Sequence, residues 1–190
     1  MSVIKVFLGA VVGLVLAMGA VLAQSGEKLL IIELKDGPVI IELLPDVAPQ
    51  HIEQITTLAA NGEYDNVVFH RVIEGFMAQT GDVQFGDRED GFNLNRAGTG
   101  GSSRPDIPAE FSSVPFKRGT VGMARSQDPN SANSQFFIMF DDGDFLNGQY
   151  TVVGQVIEGM EHVDKIKRGD QNRNGAVSDP DRMIRVTVRD

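Results

Sequence analysis

The chain has 190 residues, 42% apolar and 23% charged, with a formal net charge of −9 and no cysteine. This composition suits one soluble domain with a substantial core. It excludes disulfides, thiolate metal sites and cysteine nucleophiles, and the acidic balance argues against a nucleic-acid partner, whose phosphates it would repel.

Residues 1–23 differ from everything after them. Lys5 is their only charge, and 6–23 is an apolar run ending in Val21-Leu22-Ala23. Such a run with small residues at its end reads as a secretory signal peptide, which leaves a mature domain over 24–190. An uncleaved anchor is the alternative, since the run is just long enough to span a bilayer. The glycines that interrupt it favour cleavage. The expected location is outside the cytoplasm, in the periplasm of a Gram-negative cell, with no further membrane segment.

Residues 28–44 hold two apolar runs, Leu29-Leu30-Ile31-Ile32 and Val39-Ile40-Ile41, around Asp36-Gly37. Asp-Gly between β-rich runs predicts a hairpin. Both faces of these strands are apolar, so both need cover, as in a barrel capped outside by helices. After Pro49 the period turns helical. Ala48, Ile52, Ile55, Leu58 and Ala59 share a face until Asn61-Gly62. His51 in this helix is assigned to surface or cap packing.

Alternation over 69–73 sets Phe69, Arg71 and Ile73 on one strand face, with His70 and Val72 on the other. An arginine among large apolar groups cannot stay unpaired in a dry core. It reaches a carboxylate or solvent, or it lines a cleft. His70 faces away and reads as structural. Residues 84–108 form a long loop with Gly98-Thr99-Gly100-Gly101 at its centre. No Gly-Lys-Ser/Thr accompanies these glycines, so a phosphate cradle is rejected. Loops of this length in compact domains usually serve function.

Residues 120–124 read as a short strand and 125–133 as a polar loop. Over 134–140, alternation sets Gln135, Phe137 and Met139 against Phe136, Ile138 and Phe140. A glutamine beside a phenylalanine repeats the oddity of Arg71, though alone it would equally satisfy a loop backbone. Residues 141–148 are a turn around Phe145-Leu146, and 150–156 a strand. A short helix over 159–168 turns Met160, Val163 and Ile166 inward. A closing strand over 183–188 turns Ile184, Val186 and Val188 inward.

Within 170–181, Asp170, Asn172, Asn174, Gly175, Ser178 and Asp181 follow the spacing of a calcium loop. Pro180 and the strand from Met183 replace the exiting helix, so a connecting turn is preferred. His51, His70 and His162 lack ligand spacing, no Gly-x-Ser-x-Gly elbow is present, and no carboxylate pair stands out as acid and base. No metal or cofactor is expected.

Taken in chain order, the motifs resemble one family. Phe69-His70-Arg71-Val72-Ile73-Glu74-Gly75-Phe76-Met77-Ala78-Gln79-Thr80-Gly81-Asp82 is similar to a cyclophilin signature. So are Gly98-Thr99-Gly100-Gly101, Val121-Gly122-Met123-Ala124 and Asn133-Ser134-Gln135-Phe136-Phe137-Ile138, followed by Phe145-Leu146-Asn147-Gly148 and Val152-Val153-Gly154. Cyclophilins are the cyclosporin-binding class of peptidyl-prolyl cis-trans isomerases, and the resemblance is to the bacterial exported type. It implies a mainly β fold, a closed eight-stranded antiparallel β-barrel capped by two α-helices. It implies a monomer that isomerises X-Pro bonds in unfolded or nascent exported polypeptides without a cofactor.

By motif position, the resemblance implies Arg71, Gln79 and Phe137 as catalytic residues. Phe76, Met77, Phe137 and Leu146 would wall a proline pocket, and Gln79 and Gln135 would hold the peptide backbone. Ala124 and Arg125 would form the substrate-pairing edge, with Phe145 and Tyr150 on the rim. Phe145 stands where many members carry Trp. Indole donates a hydrogen bond that Phe cannot, so weak cyclosporin binding is expected. A non-catalytic cyclophilin-like chaperone or peptide-binding module is the alternative, and the intact Arg71, Gln79 and Phe137 set argues against it.

Overall fold

The computed structural model describes residues 27–190, and the expected signal segment 1–23 lies outside the described residues. Leu29–Leu34 (β1) and Gly37–Leu43 (β2) pair antiparallel across the two-residue turn Lys35-Asp36. Pro49–Ala60 (α1) follows, with Ile52, Ile55, Leu58 and Ala59 buried on the face that the helical period predicts. Burying side chains of this kind contributes about 1.5–3 kcal/mol for each Ile or Leu.

His51 takes the cap-packing part of its assignment and not the surface part. It is fully buried, at 0% exposure, with Nδ1 2.6 Å from Glu110 Oε2. The same carboxylate accepts the backbone N–H groups of Gln50 and His51. Ala48 precedes the helix and offers no side-chain cap. Glu110 supplies the cap from 60 residues away, satisfying N-terminal amides that the helix cannot satisfy itself.

The remaining strands are Arg71–Ile73 (β3), Met77–Thr80 (β4), Thr120–Met123 (β5), Phe136–Met139 (β6), Val152–Glu158 (β7) and Arg185–Arg189 (β8). They join β1 and β2 in one eight-stranded sheet of order β3-β4-β6-β5-β7-β2-β1-β8. Every neighbouring pair is antiparallel. The closed barrel expected from the sequence is corrected here. The sheet is an open half-barrel, because its end strands β3 and β8 share no ladder. The segment before β8 runs along 67–72 instead. It makes only isolated bridges and single bonds such as Phe69 N–H to Asp181 O at 2.8 Å and Val72 N–H to Gly175 O at 2.8 Å. Irregular chain thus satisfies the polar backbone of the sheet edge without adding a strand.

Three smaller departures share a cause, which is that regular geometry begins or ends earlier than the pattern suggests. The helix near the C-terminus is regular only over Met160–Val163 (α2). Lys165 and Ile166 then donate to carbonyls three residues back, a tightening typical of helix ends, and Val163 and Ile166 stay buried. Ile184 is 42% exposed because β8 starts one residue later. Phe69 packs with Val72 rather than beside Arg71, because strand geometry starts only at Arg71.

Alternation divides the apolar residues into two layers. The larger includes Ile32, Ile41, Ile55, Leu58, Phe136, Ile138 and Val186 and lies under α1. The smaller holds Met77, Phe116, Phe137, Met139, Leu146 and Val152. Among the described residues no helix is long and apolar enough to cross a membrane.

Candidate active site

The smaller apolar layer carries the site. β3, β4 and β6 lie side by side, and their register sets Arg71 opposite Gln79 and Gln79 opposite Phe137. Directly opposed residues on neighbouring strands share a face with Cβ atoms about 5 Å apart. Three residues distant in sequence therefore stand in one row. On β5 the row continues at Gly122, opposite Phe137. A Cβ there would lie 2.6 Å from the rings of both Phe116 and Phe137. Its absence lets those two rings stack, with centroids 5.8 Å apart. Tyr150 meets Phe137 edge-on at 5.9 Å, and Phe76 and Phe145 lean together at 5.5 Å.

These side chains enclose an open cleft of about 380 Å³. Arg71, Phe76, Met77, Gln79, Ala124, Arg125, Phe137, Phe145, Leu146 and Tyr150, all named as site candidates from the sequence, line it. Gln149 also lines it and was not expected. It sits in a polar turn with no period to mark it, and its Nε2 donates to Phe145 O at 2.8 Å. Gln135 lies beyond the cleft, on an adjoining polar cavity of about 470 Å³ that shares Gln79, Ala124 and Arg125 with it. Arg125 stands between the two, its guanidinium 4.4 Å over the Tyr150 ring and donating to Gln149 O at 3.0 Å.

A chain of hydrogen bonds runs across the site. Arg71 Nη1 donates to Gln79 Oε1 at 3.2 Å. Gln79 Nε2 donates to Gln135 Oε1 at 3.0 Å, and Gln135 Nε2 donates to Gly100 O at 2.7 Å. The glycine-rich loop that supplies this last acceptor is tied to Asp82. The Asp82 carboxylate accepts four backbone N–H groups, from Gly98, Gly100, Gln84 and Phe85, at 2.7–3.1 Å. The glycine amides thus cradle the protein's own anion. A Cβ on Gly100 would come within 2.5 Å of that carboxylate. Asp82 gave no sequence signal beyond its place at the end of the 69–82 motif.

Arg71 is half-buried, and its polar partners are neutral. Besides Gln79, its Nε and Nη2 donate to the backbone and side-chain oxygens of Asn174, at 3.1 and 3.0 Å, and Nη1 lies 3.8 Å from Met77 Sδ. Burial lowers the Arg71 pKa from its ordinary value, and Tyr150 opposes that shift. A guanidinium keeps its proton in proteins all the same. The surface salt bridge weighed for this residue does not occur among the described residues. Residues of the 170–181 loop that follow calcium-loop spacing are engaged within the chain. Asn174 Oδ1 serves Arg71, the Asp170 carboxylate accepts from Asn172 N–H, and Asp181 accepts from Lys35 and Lys167. Among the described residues no cluster of His, Asp or Glu converges as a metal site.

An eight-stranded antiparallel sheet with an arginine and two glutamines at an apolar cleft fits the family that the sequence motifs resemble. The chain belongs to the cyclophilin-type peptidyl-prolyl cis-trans isomerases, because residues 29–188 match the family model described as "Cyclophilin type peptidyl-prolyl cis-trans isomerase/CLD". It is thus an isomerase of X-Pro bonds. It is 60% identical over 191 residues to a probable peptidyl-prolyl cis-trans isomerase of Brucella suis biovar 1 (strain 1330), covering 99% of this chain and 97% of the relative. Identity to peptidyl-prolyl cis-trans isomerase B of Escherichia coli (strain K12) is 36% over 152 residues, 75% of this chain and 86% of the relative. A Hirschia baltica cyclophilin crystal structure superposes with a TM-score of 0.70 at 27% identity, covering 84% of this chain and 73% of that one. A Cryptosporidium parvum cyclophilin crystallised in the presence of the dipeptide Ala-Pro gives 0.71 at 25% identity, covering 85% and 99%.

His70 sits behind this site, buried as its structural assignment requires. Neither ring nitrogen has a hydrogen-bond partner among the described residues. Gly98, at φ +98°, lets the loop lie against the ring, where a Cβ would come within 2.8 Å of Cδ2. Burial pushes the His70 pKa down to about 4, and the Asp82 carboxylate offsets only part of the shift. The unfolded chain holds its imidazole near 6.5, so between these values it binds more protons than the folded chain. Stability is therefore complete above pH 6.5 and declines as pH falls toward 4, by about 3 kcal/mol at most. Urea unfolding of the wild type and His70→Asn across this range should shift steadily in favour of the variant as the pH drops. A pH-independent difference between the two would remove His70 as the acid-sensitive group.

Proposed function

We propose that Arg71 is the group that accelerates the isomerisation, by stabilising the twisted prolyl amide. The observation that carries this reading is the cross-strand row Arg71–Gln79–Phe137, with a guanidinium held, among the described residues, by neutral partners alone. An X-Pro bond resists rotation because of its partial double-bond character, with a barrier of about 18–20 kcal/mol. At the twisted midpoint that resonance is lost. The prolyl nitrogen then regains a lone pair and becomes a hydrogen-bond acceptor, which it is not when planar. A guanidinium beside it stabilises the twisted state more than either planar one, and only such differential stabilisation raises the rate.

The apolar walls complete the reading. Phe76, Met77, Phe137 and Leu146 hold the pyrrolidine ring while the preceding carbonyl turns. Gln79 and Gln135, joined to each other, hold the peptide backbone, and the Ala124-Arg125 edge pairs with it. Contacts limited to proline and main chain favour broad substrate use, which suits unfolded or nascent polypeptides. The 1–23 segment supports placing those substrates outside the cytoplasm.

Three measurements test this reading. Arg71→Ala should lower kcat/KM for an X-Pro peptide about 10- to 100-fold in a protease-coupled assay, the scale of one lost charge-assisted hydrogen bond, with the thermal unfolding midpoint little changed. Unaltered turnover would sink the mechanism. Phe145 is 65% exposed on the rim and has no N–H donor. Cyclosporin should thus inhibit weakly and Phe145→Trp should tighten inhibition, whereas nanomolar inhibition of the wild type would refute the assignment. For export, mass spectrometry of the protein purified from its host should find a mature N-terminus at Gln24. A cytoplasmic protein still starting at Met1 would contradict it.

A further inference from the structure

We infer that Asn174 is a positioning residue for the reaction, gripping the Arg71 guanidinium with a neutral fork that fixes its direction and leaves its charge unpaired. This inference rests on the Arg71 reading above. The grip is bidentate: Arg71 Nε donates to Asn174 O at 3.1 Å, and Nη2 donates to Asn174 Oδ1 at 3.0 Å. Two parallel bonds to one edge of a guanidinium are the pattern that arginine usually takes from a carboxylate. Here one residue makes both with neutral oxygens.

The fork is built by the loop and not by Arg71. Asn174 has a left-handed backbone, φ 54° and ψ 36°, a conformation that Asn tolerates better than most residues. The loop is clamped on both sides of it. Asp170 caps Asn172 N–H at 2.9 Å, and Asp170 O accepts Gly175 N–H at 2.8 Å. Gly175 O in turn accepts Val72 N–H at 2.8 Å, which fastens the loop to the strand that carries Arg71. Asn174 is thereby held at a set distance from the Arg71 backbone, 103 residues away in sequence.

The arithmetic of donors supports the role. A guanidinium has five N–H groups. Among the described residues, Asn174 and Gln79 take three of them and the weak acceptor Met77 Sδ faces Nη1 at 3.8 Å, leaving one hydrogen on Nη2, and the weakly held one on Nη1, for another acceptor. A long, flexible side chain is fixed at its tip from two sides, so less freedom is lost when it meets substrate. A carboxylate in place of the amide would grip equally well. It would also offset the positive charge that must face the twisted amide.

The experiment separates grip from charge. Asn174→Gly keeps the left-handed backbone and its carbonyl and removes only the side-chain acceptor. Asn174→Asp keeps the fork and adds charge. For an X-Pro peptide, Asn174→Gly should lower kcat about three- to tenfold, the scale of one hydrogen bond, with KM nearly unchanged. In NMR spectra its Arg71 Nη2 hydrogens, which lose the Oδ1 acceptor, should exchange with water faster than in the wild type. Asn174→Asp should keep the slow Nη2 exchange and still lose kcat. Wild-type kcat in Asn174→Gly, a change confined to KM, or wild-type Nη2 exchange in that variant would each overturn the positioning role. Wild-type kcat in Asn174→Asp would overturn the need for neutrality. Arg71→Ala and the double variant Arg71→Ala/Asn174→Gly distinguish the two readings. An active Arg71→Ala means that the Arg71 reading has failed. If Arg71→Ala is slow, the double variant should be no slower, and a further loss there would show Asn174 acting by another route.

Discussion

The antiparallel register of β3, β4 and β6 is the constraint on which the site depends. It places Arg71, Gln79 and Phe137 opposite one another on a single face. Hydrogen-bonded ladders specify such positions far more firmly than loops do, since a slip by one residue would turn every side chain to the opposite face. Such a slip would also move Val72, Ala78 and Ile138 out of the larger apolar layer. The same burial that stabilises the fold therefore locks the row in place. Gly122 extends the argument, because the ladder delivers an empty position where two aromatic rings need room.

Around this row the polar groups form a relay of hydrogen bonds to neutral acceptors, from Asn174 through Arg71, Gln79 and Gln135 to Gly100. Its far end is tied to Asp82, whose carboxylate takes up the amides of the glycine-rich loop. The negative charge is thus spent on backbone N–H groups behind the site, well matched to a carboxylate's acceptor capacity. The positive charge of Arg71 faces the cleft. Separating the two charges with amides lets the loop be anchored strongly without pairing the arginine that the reaction needs.

How much of this was legible beforehand depended on whether neighbours in sequence were neighbours in space. The β1–β2 hairpin and the inward face of α1 were readable because turn chemistry and the helical period are local. The two faces of β6 were readable for the same reason, and they held: Phe137 and Met139 fall in one layer, Phe136 and Ile138 in the other. Local pattern failed where regularity stopped. Phe69 lies two residues ahead of β3, and Ile184 lies just ahead of β8. Sequence could not choose between surface and cap packing for His51, because its partner, Glu110, comes from a distant loop. The barrel was expected to close because the family resemblance implied it, but closure depends on how the last connection runs.

The sequence by itself determined the family, the strand-rich fold and the side chains that line the cleft, since residue types in motif order carry that information. Tertiary structure alone decided how those side chains are held. Asn174 looked like a turn residue and Asp82 only ended a motif, and the partners that matter lie 103 and 16 residues away. A hydrogen bond across such a separation leaves no trace in composition or period. It exists only after the sheet and its loops have brought the two groups within 3 Å or so of each other.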